Sequence, residues 1–166
     1  MTEQGYNQMA RHIREKSWKV ALIRYLNQMI VVVVFISYAL LLICLGITGE
    51  YEDLYHSIIV PAVAFVVLSI FRKCISAKRP YEVMDIDPII PKDKSGSSFP
   101  SRHVFSVFMI GMTFLQFSVE TGIVLMILGV ILAVIRVVGG VHFTRDVVCG
   151  AAIGILSGLL GFYVIF

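Results

Sequence analysis

Five long blocks of apolar residues restrict what this chain can fold into, because each is close to the length of a membrane-spanning helix. A block of about 18 or more apolar residues can cross the hydrocarbon core of a bilayer as an α-helix. The blocks cover residues 29–46, 54–71, 104–119, 122–135 (extending to 138) and 147–166. Hydrophobic residues make up 58% of the chain. We therefore predict an all-α integral membrane protein, a bundle of about five transmembrane helices forming one domain over residues 29–166.

Residues 1–28 mix charged and apolar side chains and are too polar to span a membrane. The stretch 10–28 carries arginines together with Trp18 and Tyr25, a combination typical of a helix that lies in the headgroup layer. We predict an N-terminal amphipathic interfacial helix here. The charged region is too long for a cleavable signal peptide.

The junction between the last two blocks carries Arg136, His142 and Asp146. His142 and Asp146 are four residues apart, so on a helix they would share one face. An aspartate that accepts the imidazole Nδ1–H leaves Nε2 available as a nucleophile or base. Arg136 ends an apolar run, where a cation is usually kept for a partner, and the partner we expect is a phosphate. In the alternative reading, Asp146 only caps the next helix and Arg136 only reaches the headgroups.

Two further polar segments fall on the same side of the membrane when the crossings are counted. The end of the second block carries Arg72 and Arg79, and the start of the third carries Ser101, Arg102 and His103. Ser101 is a good N-cap residue, and a helix N-terminus offers free N–H groups to an anion. Three basic or histidine-bearing segments on one face predict a site for a phosphorylated substrate.

The spacing of these residues resembles the signature of the type 2 phosphatidic acid phosphatase superfamily. The family's first motif is a basic residue, six residues and Arg-Pro, which here is Arg72 followed by Arg79-Pro80. Its second motif is Pro-Ser-Gly-His, which here is Pro100-Ser101-Arg102-His103. The resemblance covers roughly residues 54–166, and the order of the motifs matches that of the family.

The third motif is Ser-Arg, five residues, His, three residues and Asp; here Ile135 stands in place of the serine, before Arg136, His142 and Asp146. Arginine at position 72 keeps the charge of the usual lysine. Arg102 in place of glycine and Ile135 in place of serine bear on substrate preference and not on the type of reaction.

The resemblance implies that His142, oriented by Asp146, attacks phosphorus and forms a phosphohistidine, while His103 protonates the leaving alkoxide and then activates water. The expected phosphate-binding residues are Arg72, Arg79, Ser101, Arg102 and Arg136. Guanidinium groups supply the positive charge that a metal would otherwise provide, so we expect no metal and no cofactor. The three cysteines, Cys44, Cys74 and Cys149, are widely spaced and are expected to be buried free thiols.

The function expected from these motifs is a metal-independent lipid phosphatase acting on phosphatidylglycerol phosphate, phosphatidic acid or undecaprenyl pyrophosphate. A phosphotransferase that uses the same histidine stays open, and a small anion channel or transporter subunit is the non-enzyme alternative. The expected partners are the lipid substrate and the bilayer. The net charge of +3 is small, and we expect no nucleic-acid partner.

The sidedness of this multi-pass protein of the cell membrane rests on two opposed indications. The loops on the non-catalytic side, residues 47–53 and 120–121, hold no Lys or Arg, so the positive-inside rule favours a cytoplasmic site. The family resemblance implies the extracytoplasmic face. Several of the cations belong to the predicted site and count less toward the rule, so we predict the extracytoplasmic face.

Overall fold

The computed structural model describes residues 2–92 and 95–165, and its regular elements there are all helices. The elements are α1 (Glu3–Arg14), α2 (Ser17–Thr48), α3 (Tyr51–Ile75), α4 (Pro80–Val83), α5 (Arg102–Leu115), α6 (Val119–Val138) and α7 (Thr144–Leu160), with a π-helical turn at Gly161–Ile165. Among the described residues, four helices are long and apolar enough to cross a membrane. The prediction of an all-α membrane bundle is confirmed.

Helix α5 is the central helix of the bundle and is shorter than the predicted third span. It has 14 residues and ends at Leu115, whereas the apolar block continues to residue 119. Every residue from Val104 to Thr113 is buried, because α5 packs against α2, α3, α6 and α7. A helix surrounded by others does not have to meet the lipid along its length. Its backbone groups bond within the helix, and the buried Thr113 Oγ1 donates to the Met109 carbonyl at 3.1 Å.

The N-terminal region differs from the prediction in where its helices begin and end. The bounds expected for the amphipathic helix, 10–28, are wrong: α1 ends at Arg14, and α2 begins at Ser17 and continues without interruption into the first span. No Gly or Pro lies between Ser17 and Leu45, so nothing stops the helix at residue 28. Residues 17–28 are therefore the first turns of a 32-residue helix.

Helix α1 packs on the protein itself, against the loop that follows α4. Tyr6 and Ala10 are buried with Ile86 and Ile89. Arg14 Nη2 donates to Asp87 at 2.7 Å, both to its carbonyl oxygen and to its carboxylate. These contacts place α1 at the same end of the bundle as the motif residues.

The opposite end of the bundle carries the acidic turn, where Glu52, Asp53 and His56 border a pocket together with Phe162. Cys44 and Cys74 are free but exposed on the outside of the bundle, so the expectation that they are buried is wrong. Cys44 lies within the apolar span of α2, and Cys74 lies in the last turn of α3.

Candidate active site

His142 and Asp146 meet where the chain enters α7. Nδ1 of His142 lies 3.5 Å from Oδ2 of Asp146, and both side chains are buried, with 2% and 0% exposure. The shared helix face expected from their spacing is wrong, because His142 precedes the helix, which begins at Thr144. Asp146 instead reaches back from the first turn and accepts the backbone N–H of Phe143 at 3.0 Å. This bond holds the turn that presents the imidazole to the carboxylate.

A third residue, Ser98, completes this pair and was not predicted from the sequence. Its hydroxyl donates to Asp146 Oδ2 at 2.6 Å and lies 3.3 Å from His142 Nδ1. Ser98 is fully buried, and its backbone N–H donates to the Ala77 carbonyl at 2.8 Å. The residue stands three positions before Ser101 in a polar loop, and nothing in its local pattern distinguishes it from the serines around it. Ser98 fixes one carboxylate oxygen of Asp146 beside the imidazole.

The surroundings of His142 favour its neutral form. Burial lowers the pKa of the imidazole most, and the positive charges of Arg136 and Arg79 lower it further, while the hydrogen bond to Asp146 raises it; the resulting pKa is about 4. At neutral pH the ring therefore carries one proton. With that proton on Nδ1 toward Asp146, Nε2 keeps its lone pair, as an attacking nitrogen must.

Arg79 and Arg136 are buried cations whose charges act on this imidazole. Arg136 lies in the last turn of α6 and is 3% exposed, and Arg79 lies immediately before α4 and is 7% exposed. The carboxylate of Glu82 accepts the backbone N–H of Arg79 at 2.6 Å and that of Gly96 at 3.0 Å. Glu82 thereby joins the segment that carries Arg79 to the turn that leads to Ser98.

The structure directs the Arg72 guanidinium to the loop that leads into α5. Its two Nη groups donate to the backbone carbonyls of Ser97 and Pro100, with a weaker contact to the Ser98 carbonyl at 3.5 Å. Arg72 is 8% exposed. It therefore ties the end of α3 to the loop that contains Ser98, and its contact with phosphate stays a prediction.

Ser101 occupies the N-cap position of α5, as its sequence position predicts, but its side chain makes no capping hydrogen bond. Its backbone N–H donates to the Asp146 carbonyl at 2.8 Å, and its hydroxyl is buried without a partner among the described residues. A Cβ at Gly150 would lie 2.6 Å from the Ser101 carbonyl oxygen, so only glycine allows α7 to pack this closely. A buried hydroxyl without a partner is a group that a bound oxygen ligand can satisfy.

His103 borders a cavity of about 470 Å³ together with Arg136. The described lining residues are Arg24, Asn27, Gln28, Val31, Val32, Ile90, Pro91, His103 and Arg136. The charge of Arg136, which borders this cavity, also lowers the pKa of the buried His142 imidazole.

Arg102 lies apart from these groups. Its guanidinium is exposed and stacks over the Phe65 ring on α3 at 5.6 Å, so its role in binding phosphate stays a prediction. Within residues 2–92 and 95–165, no three His, Cys, Asp or Glu side chains are grouped closely enough to hold a metal ion.

The neutral histidine, its carboxylate partner and the buried arginines thus lie together at one end of a helical membrane bundle. Residues 53–166 match the family model described as the PAP2 superfamily, and the chain belongs to this family of membrane phosphatases. Helices α1 and α2 precede the matched region.

One curated relative is the bacitracin transport permease protein BcrC of Bacillus licheniformis, with 31% identity over 110 residues. The match covers 64% of this chain and 54% of the relative, so the chain spans about half of that protein's length.

Two solved structures share the fold. The Aquifex aeolicus LpxE structure has 24% identity and a TM-score of 0.62, with 85% of this chain and 92% of that chain covered. The first transmembrane PAP2-type phosphatidylglycerolphosphate phosphatase from Bacillus subtilis has 18% identity and a TM-score of 0.65, with 95% and 83% covered.

Proposed function

We propose that this protein hydrolyses the terminal phosphoryl group of a membrane lipid, as a phosphomonoesterase or a diphosphatase, through a phosphohistidine. The observation that carries the proposal is the buried arrangement of Ser98, Asp146 and His142 beside Arg79 and Arg136. Phosphatidylglycerol phosphate, phosphatidic acid and undecaprenyl pyrophosphate are the candidate substrates. Each places a phosphate at headgroup depth while its tail stays in the bilayer.

In the first step, Nε2 of His142 attacks phosphorus in line with the bond to the leaving oxygen. The N–P bond forms as the P–O bond breaks, and the electron pair of that bond passes to the lipid oxygen. His103 donates a proton to this oxygen, so that the lipid leaves as an alcohol or, from a diphosphate, as a monophosphate. Asp146 accepts the Nδ1–H and stabilises the positive charge that develops on the His142 ring.

In the second step, water attacks the phosphohistidine. His103, now neutral, accepts the proton of the water, the P–O bond forms, and the electron pair of the P–N bond returns to His142. Inorganic phosphate leaves, and both histidines regain their initial protonation states. The net reaction consumes one water and releases one phosphate.

Arg72, Arg79, Arg102 and Arg136 are the proposed ligands of the non-bridging oxygens, with the Ser101 hydroxyl as a further donor. The buried positions of Arg79 and Arg136 strengthen their interaction with an incoming phosphate, because water screens it less there. These guanidinium groups supply the positive charge for transfer, so we propose a reaction that is independent of metal.

Phosphate release from the three candidate lipids in detergent, with a chelator present, tests the proposal. Wild type should release phosphate, and His142→Ala should lose at least about a thousandfold, since it removes the nucleophile. His12→Ala, which changes an exposed histidine of α1, is the matched control and should keep full activity. Loss of wild-type activity in chelator would refute metal independence, and activity in His142→Ala would refute the nucleophile. Transfer to a lipid or sugar acceptor without free phosphate would identify the phosphotransferase.

A further inference from the structure

One face of α2 turns three polar side chains toward the proposed site, although α2 precedes the region that the family matches. Arg24, Asn27 and Gln28 stand at helical positions i, i+3 and i+4, and all three line the cavity that contains His103 and Arg136. The neighbouring face of the helix packs into the apolar core through Ile23, Leu26, Ile30 and Val34. This packing fixes the rotation of α2, and with it the direction of its polar face.

Arg24 is held in place by its Nε, which donates to the Ile89 carbonyl at 2.8 Å. A guanidinium bound through Nε still has two Nη groups with which to bind an anion. Asn27 lies one turn further along, and its Oδ1 is buried without a hydrogen-bond partner among the described residues. Oδ1 accepts hydrogen bonds, so a ligand hydroxyl or a water bound to the ligand can satisfy it, while Nδ2 of the same amide can donate to a phosphoryl oxygen.

The cavity is electropositive. The lining residues that the structure describes include two arginines and a histidine, and no carboxylate. In the proposed reaction Arg136 binds the phosphoryl group that is transferred, which leaves Arg24 as a second cation in the same cavity. The volume of about 470 Å³ is within the range of ligand sites, so it can hold more than a single phosphate.

We infer that Arg24, Asn27 and Gln28 form a subsite for a second phosphoryl group, one that belongs to the leaving part of the lipid. This inference rests on the proposed function, in which His103 protonates the leaving oxygen, because the cavity shared by His103 and α2 is then where the leaving group lies. The substrate class is a lipid phosphate whose leaving group remains anionic, either a lipid diphosphate or a glycerophosphate lipid. Phosphatidic acid, whose leaving group is a neutral diacylglycerol, does not use the subsite.

The test compares kcat/KM for farnesyl diphosphate, phosphatidylglycerol phosphate and phosphatidic acid in detergent micelles. Arg24→Gln should lower the value about tenfold to a hundredfold for a substrate with a second phosphoryl group, since one charge-assisted contact is lost. For phosphatidic acid the value should stay within about threefold. Asn27→Ala should show the same selectivity with a smaller loss. Lys19→Gln removes an equal charge from α2 outside the cavity and should leave all three values unchanged.

Selective loss on farnesyl diphosphate would place the second phosphoryl group directly next to the scissile one, and selective loss on phosphatidylglycerol phosphate would place it one glycerol further. An equal loss on all three substrates would overturn the subsite, because Arg24 would then act only through its bond to the loop. Because Arg24→Gln also alters that bond, two further variants are needed, both checked as folded proteins. Arg24→Lys keeps the charge and should retain more activity than Arg24→Gln on the substrates with a second phosphoryl group, and Asn27→Ala leaves the Arg24 bond to Ile89 in place and should still show the selectivity. A wild type inactive on every lipid phosphate would instead refute the proposed function.

Discussion

Replacing Ser98 with alanine removes the hydroxyl that lies 2.6 Å from Asp146 Oδ2 and 3.3 Å from His142 Nδ1. The Cβ remains and the residue is fully buried, so the substitution leaves the packing nearly unchanged. Asp146 keeps the Phe143 N–H at 3.0 Å, but Oδ2 loses the hydroxyl, which lies closer to it than that N–H does. The perturbation therefore acts on the orientation of the carboxylate and, through it, on the imidazole.

A hydrogen bond to a charged acceptor contributes about 1.5–3 kcal/mol, and a buried one lies toward the upper part of that range. If half or more of this energy holds the imidazole in its reactive orientation, Ser98→Ala should lower kcat by about ten- to thirtyfold. KM should change by less than about threefold, since Ser98 is not one of the proposed phosphate ligands and its effect is on the reacting geometry.

The assay is steady-state phosphate release from a lipid phosphate in detergent, with the unfolding midpoint of each variant measured in parallel. Ser106→Ala is the matched control, because Ser106 is also a buried serine but lies on α5, away from His142, and its loss should leave kcat unchanged. If Ser98 had only a structural role, Ser98→Ala would lower the unfolding midpoint without the selective fall in kcat. Unchanged kcat in Ser98→Ala would refute the role of the hydroxyl, and a rise in KM alone would show that it acts on binding.

Three further predictions address the N-terminal helix, the ionisation of the histidine and the sidedness of the site. Gly140→Ala should lower both the folding equilibrium constant and the enzymatic activity by at least about tenfold, because the glycine has φ +77° and a Cβ would lie 2.5 Å from the Tyr6 hydroxyl oxygen. Adding Tyr6→Ala should restore part of the activity, and no recovery would contradict the steric cause. Lowering the pH from 7 to 5 should destabilise wild type by about 2 kcal/mol more than His142→Gln in unfolding titrations. The reason is that between pH 6.5 and about 4 the imidazole binds a proton in the unfolded protein and not in the folded one. Parallel plots of unfolding free energy against pH for the two proteins would contradict this. In a cysteine-free background, Ser95→Cys should react with an impermeant maleimide in intact cells and Glu50→Cys only after permeabilisation, and the reverse pattern would place the site in the cytoplasm.

The membrane class of this protein was predictable from composition, because a chain in lipid must satisfy its backbone hydrogen bonds within helices and can use only long apolar segments to do so. The grouping of the three motif segments at one end of the bundle followed from counting crossings. The structure places the Arg72 guanidinium on the loop that carries Ser98, and Ser98 beside His142, which agrees with that expectation.

The detailed geometry depended on contacts between residues that are distant in the chain. The packing of α3 at that end of the bundle directs Arg72 toward the 97–100 loop. The role of Ser98 depends on its contact with Asp146, which is 48 positions away in the sequence. The polar face of α2 borders the site only because Ile30 and Val34 seat the helix in the core at one rotation. Local patterns thus determine which segments become helices and on which side they end, since those follow from hydrophobicity and length. Which side chains meet is determined by the packing of whole helices, which no local pattern encodes.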